Sequence, residues 1–372
     1  MAATCWFLSK FENQKNLKQS QMKKANVRFA VFVWLLMSNL FVSAQSGAAV
    51  DEVRYRIMFY NVENLFDPLD DPQHNDEEFT PGGERRWTNK RMYDKINKIY
   101  KVIMAVGEYD PPAIIGLSEI ENLRVLQKLI YETPLKNYDY RIVHHESPDR
   151  RGIDVALLYR ADLFMPFADS AIALTFADDT NYRTRDILYV KGLAMGREML
   201  HIFVNHWPSR YGGYMNTVRR RNDAAALLLR QVDSLKAAVA SPAIIIMGDF
   251  NDDPTDESMT KVLQAKKPEQ PADPVALYNL MLVPDPEWPY GSLKYRESWN
   301  HFDQLVVTGI LLADSMPTHI KQQRAHVFHA GFLLEPDATY LGYKPYRTYL
   351  GFKYQGGFSD HLPVYLDLLI RR

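Results

Sequence analysis

Short apolar runs of strand length, several of them ending in a cluster of acid, amide or imidazole, constrain this chain more than any other feature of its sequence. The runs include Tyr55–Tyr60, Ala113–Leu117, Val155–Tyr159, His201–Asn205, Ala243–Met247, Gln304–Val307 and Val364–Leu369. Their length and β-branched content are those of strands. Helical stretches are fewer, at Asn89–Gly107, Leu123–Tyr131 and Val218–Ala240. Many strands and few helices predict an α/β fold with two sheets packed together and helices outside, not an alternating βαβ barrel. A chain of 372 residues, 47% hydrophobic and 24% charged, can fill such a core and is neither disordered nor collagenous. No internal repeat or low-complexity linker divides it. Asp67–Arg86, rich in Asp, Glu, Pro and Gly, reads as a long surface loop.

The polar clusters carry the chemistry. Five close an apolar run: Asn61-Val62-Glu63-Asn64, Ser118-Glu119, Asn205-His206-Trp207, Gly248-Asp249-Phe250-Asn251 and Phe302-Asp303-Gln304. A sixth, Ser359-Asp360-His361, stands just before the last run. A buried carboxylate costs several kcal/mol unless it is paired or bound to metal. Converging acids, amides and imidazoles therefore suit a hard cation and a phosphate. Taken singly, each has an ordinary reading. Asn61 and Asn251 are good turn residues, Glu119 a good helix-start charge, and His206 beside Trp207 a good core histidine.

Together and in this order, the clusters resemble the endonuclease/exonuclease/phosphatase superfamily, the DNase I-like enzymes, over residues 53–370. Gly248-Asp249-Phe250-Asn251 and Ser359-Asp360-His361 carry the resemblance most strongly. It implies a four-layer α/β/β/α sandwich with two mixed β-sheets, as a catalytic domain over residues 45–372. It also implies a metal-dependent phosphoric ester hydrolase. Glu119 is the expected metal ligand, with Asp360 as a further one. Asn61 either offers an amide oxygen or orients Glu119. A hard ion such as Mg²⁺, with Mn²⁺ and Ca²⁺ as alternatives, fits oxygen ligands of this kind.

His361 is expected against the phosphate, either donating to a non-bridging oxygen or acting as general base, and oriented by Asp303, which raises its pKa. Asp249 aligns or deprotonates the attacking water, and Asn251 donates its amide to the phosphate. His206 occupies the position of a second histidine able to protonate the leaving oxygen, with Asp154 as its candidate orienting acid. Glu63 and Glu121 are expected to support the metal site from behind. Arg183, Arg185 and Arg210 are expected to hold a flanking phosphate.

Specificity is less constrained. The segment before Val155 has no Tyr of the kind that apurinic endonucleases place in the site, and no hydrophobic hairpin of the sphingomyelinase type is seen. A phosphodiester, with nucleic acid among the candidates, is the expected substrate. A phosphomonoester or lipid-headgroup ester is the alternative, and an exported binding protein with an inactive site is an alternative of another class. No protein partner is expected.

The N-terminus reads as an export signal. Lys23, Lys24 and Arg28 precede an apolar stretch, Phe29–Val42, and Val42-Ser43-Ala44 offers small residues at the cleavage positions. Met22 reads as a natural start, and the mature chain is expected to begin near Gln45. A single membrane anchor is the other reading, but the stretch is shorter than the ~20 residues of a comfortable span. Cleavage removes six basic residues and one acidic residue from totals of 44 and 45, leaving 38 and 44 and a net charge of −6. It also removes Cys5, the sole cysteine. The mature protein is thus expected to be secreted or periplasmic, without disulfides or stable membrane insertion, and without a broad electrostatic grip on polyanions.

Overall fold

Two sheets make up the fold. In the computed structural model, residues 51–176 and 179–371 are described, and Glu52–Arg371 forms one unit. The expected export segment, residues 1–44, lies outside the described residues. The first sheet holds β1 (Glu52–Leu65), β2 (Ile114–Ile120), β3 (Tyr140–His144), β4 (Asp154–Arg160), β13 (Thr318–Ile320), β14 (His326–Val327) and β19 (Val364–Arg371). Its order is β13-β19-β1-β2-β4-β3, with β14 also paired to β19. The second holds β5 (Phe164–Ile172), β6 (Ile187–Ala194), β7 (Glu198–His206), β8 (Ala243–Asp249), β12 (Asp303–Thr308) and β9 (Leu277–Asn279), in the order β5-β6-β7-β8-β12-β9. Small hairpins β10–β11 (Leu293–Tyr295, Ser298–Asn300), β15–β16 (Leu334–Pro336, Tyr343–Pro345) and β17–β18 (Tyr349–Leu350, Lys353–Tyr354) lie in the connections.

Each sheet is mixed, and each contains one parallel pair: β1 with β2, and β7 with β8. Parallel neighbours need a crossover connection, usually a helix. Helix α1 (Asn89–Gly107) makes the first crossover and α3 (Tyr214–Ala238) the second. The carboxyl ends of the four strands therefore carry the polar clusters around Asn61, Glu119, His206 and Asp249.

Local chemistry sets the helix limits. Thr88 caps α1 by accepting from Arg91 N, and Asn122 caps α2 (Leu123–Tyr131) by accepting from Val125 N. Along α1, Met92, Ile96, Ile99, Val102, Ile103 and Val106 recur at helical spacing and are buried. They join the core between α1, α2 and the first sheet, which continues into the space between the sheets. On the opposite outer face, Ala224, Ala225, Leu228 and Val232 of α3 pack with Phe203, Ile244 and Ile246 of the second sheet. Helices thus cover both outer faces, and the expected four-layer sandwich is the observed one. The two sheets pack closely at Gly116, where a Cβ would meet Met247 Sδ at 2.7 Å.

One expectation changes. Helix α3 begins at Tyr214, before the apolar pattern at Val218, directly after Gly213 at φ 105°. Asp67–Arg86 is the expected surface loop, and its apolar residues anchor it. Phe79 stacks on Phe66 at 4.1 Å, Asp76 is buried, and Trp87 Nε1 donates to Phe66 O at 2.8 Å.

Candidate active site

Strand irregularity aims the first carboxylate. β1 and β2 pair regularly to Asn61–Ser118, then slip to Leu65–Ile120. Three residues of β1 oppose Glu119 alone, and Glu63, Asn64 and Glu119 take φ of 52°, 60° and 63°. Positive φ is unfavourable for a residue with a Cβ, and such strain concentrates where side chains must be re-aimed. The bulge brings Glu119 Oε2 to Asn64 N (2.9 Å) and Oε1 to Asn61 Nδ2 (3.3 Å).

The second sheet brings up the partners by register. His206 lies opposite Asp249, and Asp249 opposite Asp303. Asn61 Nδ2 also donates to Asp249 Oδ2 at 3.0 Å, so one amide joins a carboxylate from each sheet. Its Oδ1 is occupied by Glu63 N at 3.0 Å. Of the two roles open to Asn61, the geometry is that of the orienting one. His206 Nε2 stands 3.6 Å from Asp249 Oδ2 and 4.0 Å from Glu119 Oε1. His361 Nε2 stands 3.8 Å from the same Asp249 oxygen, and its Nδ1 lies 2.7 Å from Asp303 Oδ2. Ser359 ties the loop down, donating to Asn61 O at 2.8 Å and accepting from His361 N at 3.1 Å.

Burial and charge separate the two histidines. Burial lowers the His361 pKa, but Asp303 and Asp249 more than offset it and hold the imidazole well above its ordinary value. His206 is pushed well below its ordinary value by burial, then by the cations Arg185 and Arg151. The expected role of His206 as a proton donor needs an imidazolium, and its surroundings instead favour the neutral ring. Burial raises the Asp249 carboxyl to about 6, with His361 opposing and Asp303 reinforcing the shift.

Asp154 does not orient His206. Its Oδ2 lies 3.1 Å from His144 Nε2, and its Oδ1 accepts from Ser147 N at 2.9 Å and from Ser147 Oγ. His206 Nδ1 is buried without a hydrogen-bond partner. The expected arginine contacts are also redirected. Arg185 is buried, donating to Asp149 Oδ2 (3.0 Å) and Trp207 O (2.7 Å). Arg210 donates to Asn251 O (2.7 Å) and to Asp256 Oδ2 (2.6 Å). Arg183 is exposed and bonds Thr180 O at 2.6 Å. The first two arginines hold the loops that shape the site. Asn251, at φ 51°, donates its backbone N–H to Asp249 Oδ1 (3.0 Å) and its Nδ2 to Trp207 O (3.0 Å).

Glu63 and Glu121 part company. Glu63 accepts from Thr348 N at 2.6 Å and Arg347 Nε at 3.4 Å, while Asp360 takes Arg347 Nη2 at 2.8 Å. Burial raises the Asp360 pKa, but Arg347, His361 and Lys95 together hold the carboxyl below its ordinary value. Glu121 instead accepts from Asp67 N and faces a separate acidic cavity of 280 Å³ with Asp71 and Asp76. Sequence reasoning missed Arg347 and also Lys95, which is buried with Nζ 2.6 Å from Thr348 Oγ1. A lysine on the core side of an otherwise apolar helix face was the available signal for Lys95. Arg347 has no such signal.

The donor set suits a hard divalent ion. Glu119 and Asp249 converge on one amide, and oxygen and nitrogen atoms of Asp249, Asp303 and His361 lie within 4.8 Å of one another. A second group of this kind, His144, Glu146 and Asp154, surrounds the Asp154 hydrogen bonds.

The sequence matches the Endonuclease/Exonuclease/phosphatase family over residues 56–370. No curated protein matches it. Among solved structures, an endonuclease/exonuclease/phosphatase family protein from Bacteroides thetaiotaomicron superposes with a TM-score of 0.53 at 17% identity, covering 87% of this chain and 100% of its own. A mannosyl-6-phosphatase from Bacteroides thetaiotaomicron gives 0.51 at 16% identity, covering 84% and 99%. D. rerio TDP2, complexed with a single strand DNA product, gives 0.51 at 14% identity, covering 85% and 98%. At these identities the likeness establishes the fold.

Proposed function

The chain belongs to the endonuclease/exonuclease/phosphatase family, and from that membership we propose that it is a metal-dependent phosphoesterase that hydrolyses phosphodiester bonds and is exported after loss of residues 1–44. One observation carries the reading. The Asp303–His361 pair, Asp249 and Glu119 converge at the carboxyl ends of the two parallel strand pairs.

Glu119, oriented by Asn61, is the residue that would hold Mg²⁺, with Asp360 at the edge of the site. Bound there, the ion would polarise a phosphoryl oxygen and offset charge on the leaving group. The chain's own groups supply the rest. His361, held cationic by Asp303, donates from Nε2 to a non-bridging phosphoryl oxygen as negative charge builds there. Asp249, with its carboxyl raised to about 6, is basic enough at neutral pH to draw a proton from the attacking water. Asn251 has a second amide hydrogen for the phosphate. His206, as a neutral ring, donates a hydrogen bond to the leaving oxygen.

The fold neighbours include both a mannosyl-6-phosphatase and a protein with a bound DNA product, so the scaffold does not choose between ester classes. Charge favours the diester. Arg185, Arg210 and Arg347 are all engaged by carboxylates, which suits a singly charged phosphate better than a dianion.

The test uses purified protein lacking residues 1–44 with bis-p-nitrophenyl phosphate and p-nitrophenyl phosphate, each with Mg²⁺, Mn²⁺ and Ca²⁺. Diester hydrolysis that a chelator abolishes and added metal restores is expected, with a loss of roughly 10³-fold in His361→Ala and Glu119→Ala. Metal-independent turnover, or turnover of the monoester alone, would overturn the reading. Export is tested separately: the secreted protein should begin near Gln45, and a chain retaining Phe29–Val42 would mean an anchor instead.

A further inference from the structure

A cavity of 770 Å³ opens beside the phosphate site, with Asp360 on its edge. Its walls come from the loop after His206 and from the β10–β11 hairpin, chiefly Arg210, Tyr211, Tyr214, Leu293, Tyr295 and Phe302. The hairpin is continuous with the site. Leu293 bridges to His361, Leu362 N donates to Ser292 O at 2.7 Å, and Ser292 Oγ donates to Asp303 Oδ2 at 2.5 Å. A group bonded to a phosphate at His361 therefore has this cavity as its neighbour.

The lining selects the chemistry of that group. Arg210 offers no spare charge, because Asp252, Asp253 and Asp256 surround its guanidinium at 3.2, 3.6 and 2.6 Å. A second phosphate is disfavoured. The guanidinium lies 4.9 Å from the Tyr214 ring centre and 4.5 Å from that of Phe302, forming a flat π-cation floor. Elsewhere in the lining, Tyr211 and Tyr295 are 93% and 63% exposed, large aromatic surfaces left uncovered. A sugar would need hydrogen-bond partners for each hydroxyl, whereas the polar side chains of the lining, Ser209, Asn300 and Asp360, are already engaged by Tyr211 N, Asp253 and Arg347. An acyl chain gains nothing from a cationic surface. A flat heteroaromatic ring gains from both surfaces, and base–aromatic stacking tolerates every base.

We propose that this cavity binds the nucleobase of a nucleoside esterified to the scissile phosphate, with Tyr211 and Tyr295 as the stacking residues. The proposal rests on the phosphodiesterase reading and deepens it to nucleotide diesters. Such a nucleoside comes from a small dinucleotide or from a nucleic-acid strand, and the two share this chemistry.

Two measurements test it. The first is calorimetric binding of thymidine 5′-monophosphate and of ribose 5-phosphate, without turnover. The second is the ratio of kcat/KM for thymidine 5′-p-nitrophenyl phosphate to that for methyl p-nitrophenyl phosphate, with Mg²⁺. Wild type should favour the thymidine compound roughly tenfold or more in each. Tyr211→Ala/Tyr295→Ala should bring both ratios towards one, Tyr211→Phe/Tyr295→Phe should restore them, and Tyr109→Ala, whose ring is 99% exposed, should leave them unchanged. Both tyrosines are exposed, so the variants keep the fold. Ratios near one in wild type, or unchanged in the double alanine variant, overturn the nucleobase site. If neither diester is cleaved but the tyrosine-dependent binding preference persists, the site stands and the phosphodiesterase reading falls. A short single-stranded oligonucleotide run alongside identifies the source: a larger tyrosine-dependent preference for it than for the mononucleotide means a strand, and an equal one a small nucleotide.

Discussion

Asp303 Oδ2 lies 2.7 Å from His361 Nδ1, with Asp303 fully buried and His361 nearly so. Ser292 holds the same oxygen, so the carboxylate cannot rotate away without losing two partners. The pair fixes the imidazole with Nε2 facing Asp249.

Replacing this acid should change the charge of His361 before anything else. The folded pKa of His361 is raised, so its contribution to stability is fully present below about pH 6.5 and is lost as pH rises through the raised folded value. In Asp303→Asn the strongest opposing charge is gone and burial dominates. The imidazole titration followed by NMR should move downward, and phosphodiester turnover should fall about 10²–10⁴-fold. An unmoved titration would mean that Asp303 does not set the His361 charge.

Glu121 gives a pH signature away from the phosphate site. Burial raises its carboxyl to about 8. A carboxyl raised in the folded state stabilises below the unfolded pKa, and that contribution disappears as pH rises through the folded value. Wild-type thermal stability should therefore decline between about pH 5 and pH 8. Glu121→Gln keeps the neutral shape and should flatten the decline, becoming the more stable form at pH 8 by roughly 2–4 °C in Tm. Parallel melting curves at the two pH values would refute the assignment.

Arg347 holds two carboxylates together. It reaches Glu63 at 3.4 Å and Asp360 at 2.8 Å, with a side chain 37% exposed. Asp360 has a lowered folded pKa, so its contribution is present above its unfolded pKa and is lost as pH falls through the folded value. Arg347→Met should therefore destabilise more at pH 8, where Asp360 is charged, than at pH 3, below its ordinary value of 3.8. Solvent screening limits the loss to about 1 kcal/mol. Melting curves of variant and wild type at both pH values provide the check, and an equal loss at both would mean that packing, not charge, is what Arg347 supplies.

Much of the fold and part of the site were legible in the sequence. Helices α1 and α2 occupy the expected residues because Thr88 and Asn122 are local caps ahead of an apolar period. The clusters at Asn61, Glu119, His206, Asp249, Asp303 and His361 were legible because polar residues interrupt apolar strands. Strand β5 was not, since it is an exposed edge containing Pro166 and lacks a burial pattern. Partner choice was least legible. Asp154 bonds near neighbours His144 and Ser147 rather than His206, and Arg210 reaches Asp256 rather than substrate. Arg347 meets Glu63 across 284 residues, a pairing that only the fold creates.

Gly248 tests how the second sheet delivers its residues. It lies between Met247 and Asp249 on β8, opposite Asn205 of β7 and Gln304 of β12. A Cβ there would meet Asn205 O at 2.4 Å and Asn205 Cβ at 2.6 Å. The nearest obstacle is backbone, which cannot swing aside as a side-chain tip can. Gly248→Ala must therefore push the ends of β7 and β8 apart. Overpacking of this kind costs typically 1–3 kcal/mol. The displaced strand ends carry His206 and Asp249, now 3.6 Å apart. A shift of about 1 Å in such a constellation can cost about 10²-fold in rate. Gly248→Ala should accordingly lower kcat well beyond its effect on the folded fraction, while Gly331→Ala, where a Cβ meets nothing, should leave both unchanged. Unaltered kcat in a destabilised Gly248→Ala protein would show that the β7–β8 spacing does not position the site.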